Sequence, residues 1–162
     1  MHRPDELREL PELGLARVVA VLIDGARLAV TEEQHEVVDS ARRIVRAMID
    51  AGVLRTTQHL QVVLTKRDEI ERSGNAADLI QRLKSLVDRL KLDFGSKLAS
   101  VSFFEIAARD PLGTFDPAYG CDVLLESWIS AAEPSTSVVE PDEIEETQFD
   151  RLGTQNNFGS WA

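Results

Sequence analysis

The chain has 162 residues, 43% of them apolar and 28% charged, the proportions of one folded domain. Its net charge of −10 argues against a nucleic-acid partner or an anionic membrane held through phosphate contacts. Cys121 is the only cysteine, which excludes an intrachain disulfide. The longest apolar run, Val18 to Ile23, is too short to cross a bilayer, and the charged N-terminus lacks the apolar stretch of a signal peptide. These features together point to a cytoplasmic protein.

In chain order, residues 1–13 contain Pro4 and Pro11 and space Leu7, Leu10 and Leu13 three apart, and predict at most a short helix. Next comes Val18-Val19-Ala20-Val21-Leu22-Ile23-Asp24-Gly25. A continuous β-branched run without alternation predicts a strand buried on both faces of a parallel sheet, closed by an Asp-Gly turn. Thr31 and Gln34 have the spacing of a capping box. Behind them Val37, Val38, Ala41, Ile44, Val45 and Met48 recur at helical spacing, and Gly52 falls where a helix terminator belongs. Arg42, Arg43 and Arg46 fall on the other faces of this helix and read as solvated.

A second buried strand is expected over Leu60–Leu64, running into Thr65-Lys66-Arg67-Asp68 and a following helix. Ser73-Gly74-Asn75 reads as a turn. Leu79, Ile80, Leu83, Leu86, Val87 and Leu90 mark another amphipathic helix, broken at Asp93-Phe94-Gly95-Ser96. Val101–Ile106 is the third strand, leading into Ala107-Ala108-Arg109. A loop over residues 112–118 and a closing helix containing Val123, Leu124, Trp128 and Ile129 complete the body. From Ala132 onward the composition turns acidic, with seven acids against one base, which leaves 21 acids and 17 bases in residues 1–131. Such a segment buries too little apolar surface to offset its ordering entropy. Phe158 and Trp161, near its end, have the character of anchors for a partner groove.

The order β-α-β-α-β-α implies an α/β fold with a parallel sheet of about three strands and flanking helices. In such sheets ligands bind beyond the carboxyl ends of the strands. Asp24, Thr65–Asp68 and Ala107–Arg109 all belong to those ends. Asp24 reads as a turn residue that touches no ligand. His2, His35 and His59 are scattered without ligand spacing, so no metal site is expected, and no catalytic set is legible.

Three segments carry a family resemblance: Val18–Gly25, Leu60–Asp68 and Ile106–Arg109. In order they resemble the Asp-Gly strand, the Asn/Thr-Lys-x-Asp motif and the Ser-Ala-Lys-type motif of a translation-factor-type (TRAFAC class) P-loop GTPase. The phrasing resembles most the bacterial double-GTPase families, which are associated with prokaryotic signalling or conflict systems. The resemblance covers residues 15–131 and implies a three-layer, partial P-loop-GTPase-like fold. It also implies a guanine site made by Thr65, Lys66, Asp68, Ala107, Ala108 and Arg109. Guanine presents a ring N–H and an exocyclic amine side by side, and one carboxylate, Asp68, can accept from both. Adenine lacks that pair of donors. The Lys66 stem would lie over the base, and the Ala108 backbone N–H would reach its carbonyl.

The sequence contains no Gly-x-x-x-x-Gly-Lys-Ser/Thr, so no residue is available to cradle the β- and γ-phosphates or to present a hydroxyl to Mg²⁺. The implied ligand is therefore GTP or GDP read through its base, with Mg²⁺ only where a partner supplies the phosphate site. The expected organisation is an N-terminal segment (1–14), a GTPase-like α/β domain (15–131) and an acidic tail (132–162). The first strand is left with a bare apolar edge, which invites self-association or pairing with a protein partner. Two functions fit: a regulatory adaptor that recognises guanine nucleotide without hydrolysing it, or a protein-interaction module that binds no nucleotide.

Overall fold

A computed structural model describes residues 11–132. Its elements are α1 (Pro11–Leu15), β1 (Val18–Asp24), α2 (Gly25–Ala29), α3 (Gln34–Asp50), β2 (His59–Thr65), α4 (Arg67–Arg72), α5 (Ala76–Phe94), a 3-10 turn (Gly95–Lys97), β3 (Ser100–Glu105) and α6 (Cys121–Ala132). The fold is α/β, and its sheet is parallel throughout with strand order β1-β2-β3. Val18 pairs with His59 and Asp24 with Thr65, while Leu64 pairs with Glu105. Asp24, Thr65 and Glu105 therefore finish at one end of the sheet, side by side. Most of the acidic segment (133–162) and residues 1–10 lie outside the described residues.

The winding explains the layers. Neighbouring strands follow one another in sequence, so right-handed crossovers put both connecting helices on the same face. There α3 and α5 pack together against Val19, Val21, Ile23, Leu60, Val62, Leu64 and Val101, with Leu28 and Ile70 from the two short helices in the same core. Leu60, Val62 and Leu64 have no exposed surface. Truncating one of these leucines to alanine would cost about 2–5 kcal/mol. Among the described residues, α6 covers the opposite face, over β2. Gln61 points there: its Nε2 donates to Ser127 Oγ at 2.8 Å, and its Oε1 accepts from Trp128 Nε1 at 2.7 Å.

This arrangement corrects the expectation for the first strand. Only β2 is buried on both faces. On β1 burial alternates, and Leu22 is 65% exposed, because among the described residues no crossover helix returns to that side. The helix-start expectation also fails: Thr31 and Gln34 form no capping box. The residue before α3 is Glu33, in α conformation and without a side-chain cap bond. Its N–H already donates to Val30 O at 3.0 Å, and its carboxylate accepts from Arg27 Nε at 2.6 Å. Gln34 is buried and turned toward Arg82 instead.

At the other end of α3 the expectation holds. Gly52 has φ +70, its N–H donates to Ile49 O, and the Val53 N–H donates to Met48 O, both at 3.0 Å. That pair of bonds is a Schellman motif, and it satisfies two carbonyls the helix end would otherwise orphan. The Asp24-Gly25 step is not a simple turn. Asp24 caps the short α2, its Oδ1 accepting from Ala26 N at 2.9 Å.

Candidate functional site

The carboxyl ends of β1 and β2 are locked together by small groups. Thr65 Oγ1 donates to Ile23 O at 3.1 Å, tying the last turn of one strand to the other. Gly25 then crosses directly over the Thr65–Lys66 backbone. A Cβ at Gly25 would collide with Thr65 O and would lie 2.6 Å from Lys66 O. Only hydrogen fits at that crossing.

Lys66 itself has φ 52 and ψ 48, in the left-handed region, a conformation that costs about 1–2 kcal/mol for a residue with a side chain. Three bonds hold it there. Lys66 Nζ donates to Asp24 Oδ2 at 2.9 Å, Glu69 N donates to Lys66 O at 3.0 Å, and Arg67 N donates to Ile106 O at 3.0 Å. Burial opposes the Asp24 anion, but the Lys66 ammonium and the Ala26 N–H outweigh it, so the carboxyl lies below its ordinary value. Asp24, read from the sequence as a turn residue, thus positions the lysine of the motif.

Asp68 sits in the first turn of α4 and is 3% exposed. Its Oδ2 accepts from Arg72 Nη2 at 2.5 Å. Its Oδ1 is buried and meets no donor among the described residues. A buried carboxylate oxygen left without a partner costs about 1–3 kcal/mol or more, and such a group marks a place where a ligand donor belongs.

Arg67, the variable position of the motif, was not singled out by sequence reasoning, yet it joins the two halves of the site. Its Nε donates to Glu105 Oε2 at 2.8 Å and its Nη1 to Glu71 Oε2 at 2.6 Å. The guanidinium lies 5.5 Å from the centre of the Phe115 ring. Burial would lower its pKa, but the two carboxylates raise it on balance. Phe115 in turn stacks on Tyr119, with ring centres 4.5 Å apart.

Beyond β3, Ile106 N donates to Leu64 O at 2.8 Å, so the Ala107–Arg109 segment starts beside the end of β2. Ala107 is fully buried, and its N–H is taken by Tyr119 O at 3.0 Å. Ala108 and Arg109 are exposed. Asp110 organises the loop that follows, accepting from Leu112 N at 3.0 Å and Phe115 N at 2.8 Å. Those bonds hold its carboxyl below the ordinary value despite the opposing burial. Thr65, Lys66 and Asp68 are thus brought to one end of the sheet with Ala107, Ala108 and Arg109. Within that group Thr65 and the Ala107 N–H are engaged internally, and Lys66 and Arg109 face solvent.

A parallel sheet that ends in this Thr-Lys-Arg-Asp turn, with an Ala-Ala-Arg segment alongside, defines a GTPase-related α/β module. The model of the family Double-GTPase 2 matches residues 1–129. The chain belongs to the Double-GTPase 2 family. No curated protein and no solved structure matches it. No described helix is long and apolar enough to cross a membrane.

Proposed function

We propose that this chain recognises guanine nucleotide through its base and acts as a regulatory adaptor in a bacterial signalling or conflict system, in the cytoplasm, without hydrolysing GTP. The observation that carries the reading is the buried Oδ1 of Asp68, which meets no donor among the described residues. The paired N–H donors of guanine would supply what that carboxylate lacks. Lys66, fixed by Asp24, offers its alkyl stem to the base, and Ala108 and Arg109 stand at the exposed side of the neighbouring loop. The residues present do not suit Mg²⁺ or the β- and γ-phosphates, since the sequence has no phosphate-binding loop, so no hydrolytic step is assigned.

Isothermal titration of the full chain with GDP, GTP and ATP tests this. Binding of both guanine nucleotides, no binding of ATP, and loss of binding in Asp68→Ala are expected. Two charge-assisted hydrogen bonds are at stake, on the order of a hundredfold or more in affinity. Equal affinity for ATP, or an unaltered Asp68→Ala, would sink the reading.

A second reading, a protein-interaction module with no nucleotide, is favoured by the edge of β1, which no described strand pairs, and by Leu22 beside it. On α6, Leu125, Trp128 and Ile129 add exposed apolar surface. A protein partner or a second copy of the chain that extends the sheet at β1 would cover that edge. The same titration separates the readings, because this one requires no heat from any nucleotide.

A further inference from the structure

Arg67 stands between Lys66 and Asp68, yet its bonds run to the other loop of the site. Its backbone N–H donates to Ile106 O at 3.0 Å. Its guanidinium is 14% exposed and donates from Nε to Glu105 Oε2, at the end of β3, at 2.8 Å. The same group lies over the Phe115 ring, 5.5 Å from its centre. These contacts join the turn after β2 to the segment that begins at Ile106.

Ala107 and Ala108 carry only methyl side chains, so backbone bonds and neighbours must fix their place. The Ala107 N–H donates to Tyr119 O at 3.0 Å. Tyr119 stacks on Phe115, with ring centres 4.5 Å apart, and Phe115 lies against Arg67. Before Tyr119 comes Ala118, with φ +59, a left-handed conformation uncommon for a residue with a Cβ. The turn closes where Tyr119 N donates to Asp116 O at 3.1 Å. After it comes Gly120, where a Cβ would collide with Glu105 O. Backbone strain of this kind persists only where the surroundings over-determine it. Arg67, Glu105 and the two rings supply those surroundings.

We propose that Arg67 is a positioning residue: with Glu105 and Phe115 it sets where the Ala108 N–H stands relative to Asp68, and so fixes discrimination at the 6-carbonyl of guanine. The inference rests on the proposed recognition of guanine. Arginine suits the task, because its planar fork bonds carboxylates while it lies over an aromatic ring, a pairing that lysine does not reproduce. Asp68 is held separately, accepting from Arg72 Nη2 at 2.5 Å. Two arginines thus serve the two parts of one base edge. Arg72 orients the acceptor for the paired N–H groups, and Arg67 orients the donor for the carbonyl. Such outer support is what holds a binding group within the tolerance of its hydrogen bond.

GDP, 6-thio-GDP and IDP, titrated calorimetrically into the full chain, are the probes. 6-Thio-GDP replaces the carbonyl oxygen with sulfur, a weaker acceptor, and IDP lacks the exocyclic amine. The GDP-to-6-thio-GDP ratio therefore reads the Ala108 N–H, and the GDP-to-IDP ratio reads Asp68. The wild type should prefer GDP over 6-thio-GDP about fivefold. Arg67→Gln and the near-isosteric Glu105→Gln should each cut that preference to about twofold or less, with the GDP-to-IDP ratio unaltered. The double variant should go no further than either single one, since the two side chains act as a unit. Each ratio is taken on folded protein, so a loss of stability leaves it unmoved. In the unliganded chain the Ala108 amide resonance should shift in both single variants. No GDP binding by the wild type would end the guanine reading and this inference with it. GDP binding without the wild-type preference over 6-thio-GDP, a preference unchanged in both variants, both ratios falling together, additive losses in the double variant, or an unmoved Ala108 amide would each overturn this inference alone.

Discussion

Replacing Gly25 by alanine sets two effects of opposite sign against each other. Gly25 is the first residue of α2 and does not have a positive φ. On backbone grounds alone, alanine there should stabilise by about 0.4–1 kcal/mol. Against this, the added methyl would collide with Thr65 O and lie 2.6 Å from Lys66 O and 3.1 Å from Lys66 C. All three are backbone atoms and cannot rotate aside. Overpacking of this kind costs about 1–3 kcal/mol, so the net expectation is a loss of about 1–2 kcal/mol. The strain falls on the peptide that sets the left-handed Lys66, so the Lys66–Asp24 pair should loosen too. Urea denaturation reads the first effect, and the amide shifts of Lys66 and Arg67 read the second. Gly95→Ala is the control: φ is −57 there and no atom lies within 4 Å of the added Cβ, so it should be neutral or slightly stabilising. A Gly25→Ala protein as stable as its Gly95→Ala counterpart would refute the crossing as a constraint.

Further outcomes follow from the same geometry. Gln61→Leu strands Trp128 Nε1 and Ser127 Oγ and should cost about 1–3 kcal/mol; a red shift of Trp128 emission in a Trp161→Phe background is the accompanying sign. Leu22→Lys, at a 65% exposed position, should change unfolding free energy by no more than about 0.5 kcal/mol while abolishing any self-association seen by sedimentation. If association persists unchanged, the β1 side is not the interface. Acidification tests the two anchored aspartates. Asp24 and Asp110 both have folded values below the ordinary 3.8, so their stabilisation is complete above 3.8 and fades as pH falls through the lower folded values. Carboxyl carbon shifts should therefore stay in the ionised position at pH 5. Midpoints above 3.8 would contradict the bonds assigned to them.

Much of this could be seen in the sequence for definite physical reasons. Leu60–Leu64 reads as a central strand because four apolar residues around Gln61, without alternation, suit burial on both sides, and so it proved. The same rule misread Val18–Ile23: a strand's own residues do not say how many layers cover it, and here the winding direction decided. The five-residue α2 is too short to display a helical period, so Asp24 passed for a turn residue. Arg67 occupies the motif position with no fixed identity, and its importance comes from Glu105 and Phe115, which only the fold brings near. The engagement of the Ala107 N–H depends on Tyr119 in the same non-local way.

The one-directional winding has a consequence for what the module can sense. In a doubly wound sheet the ligand crevice opens where crossovers part to opposite faces, and no such parting occurs among the described strands. Among the described residues, the end of the sheet proposed to read the base is bounded by the loops after β2 and β3, with Asp24 and Gly25 against Lys66 on the β1 side. A ligand there would be held by its aromatic ring system and not by its charged end. Guanosine should then bind as tightly as GDP or GTP, which would make this module a gauge of total guanine supply, blind to the energy charge of the pool.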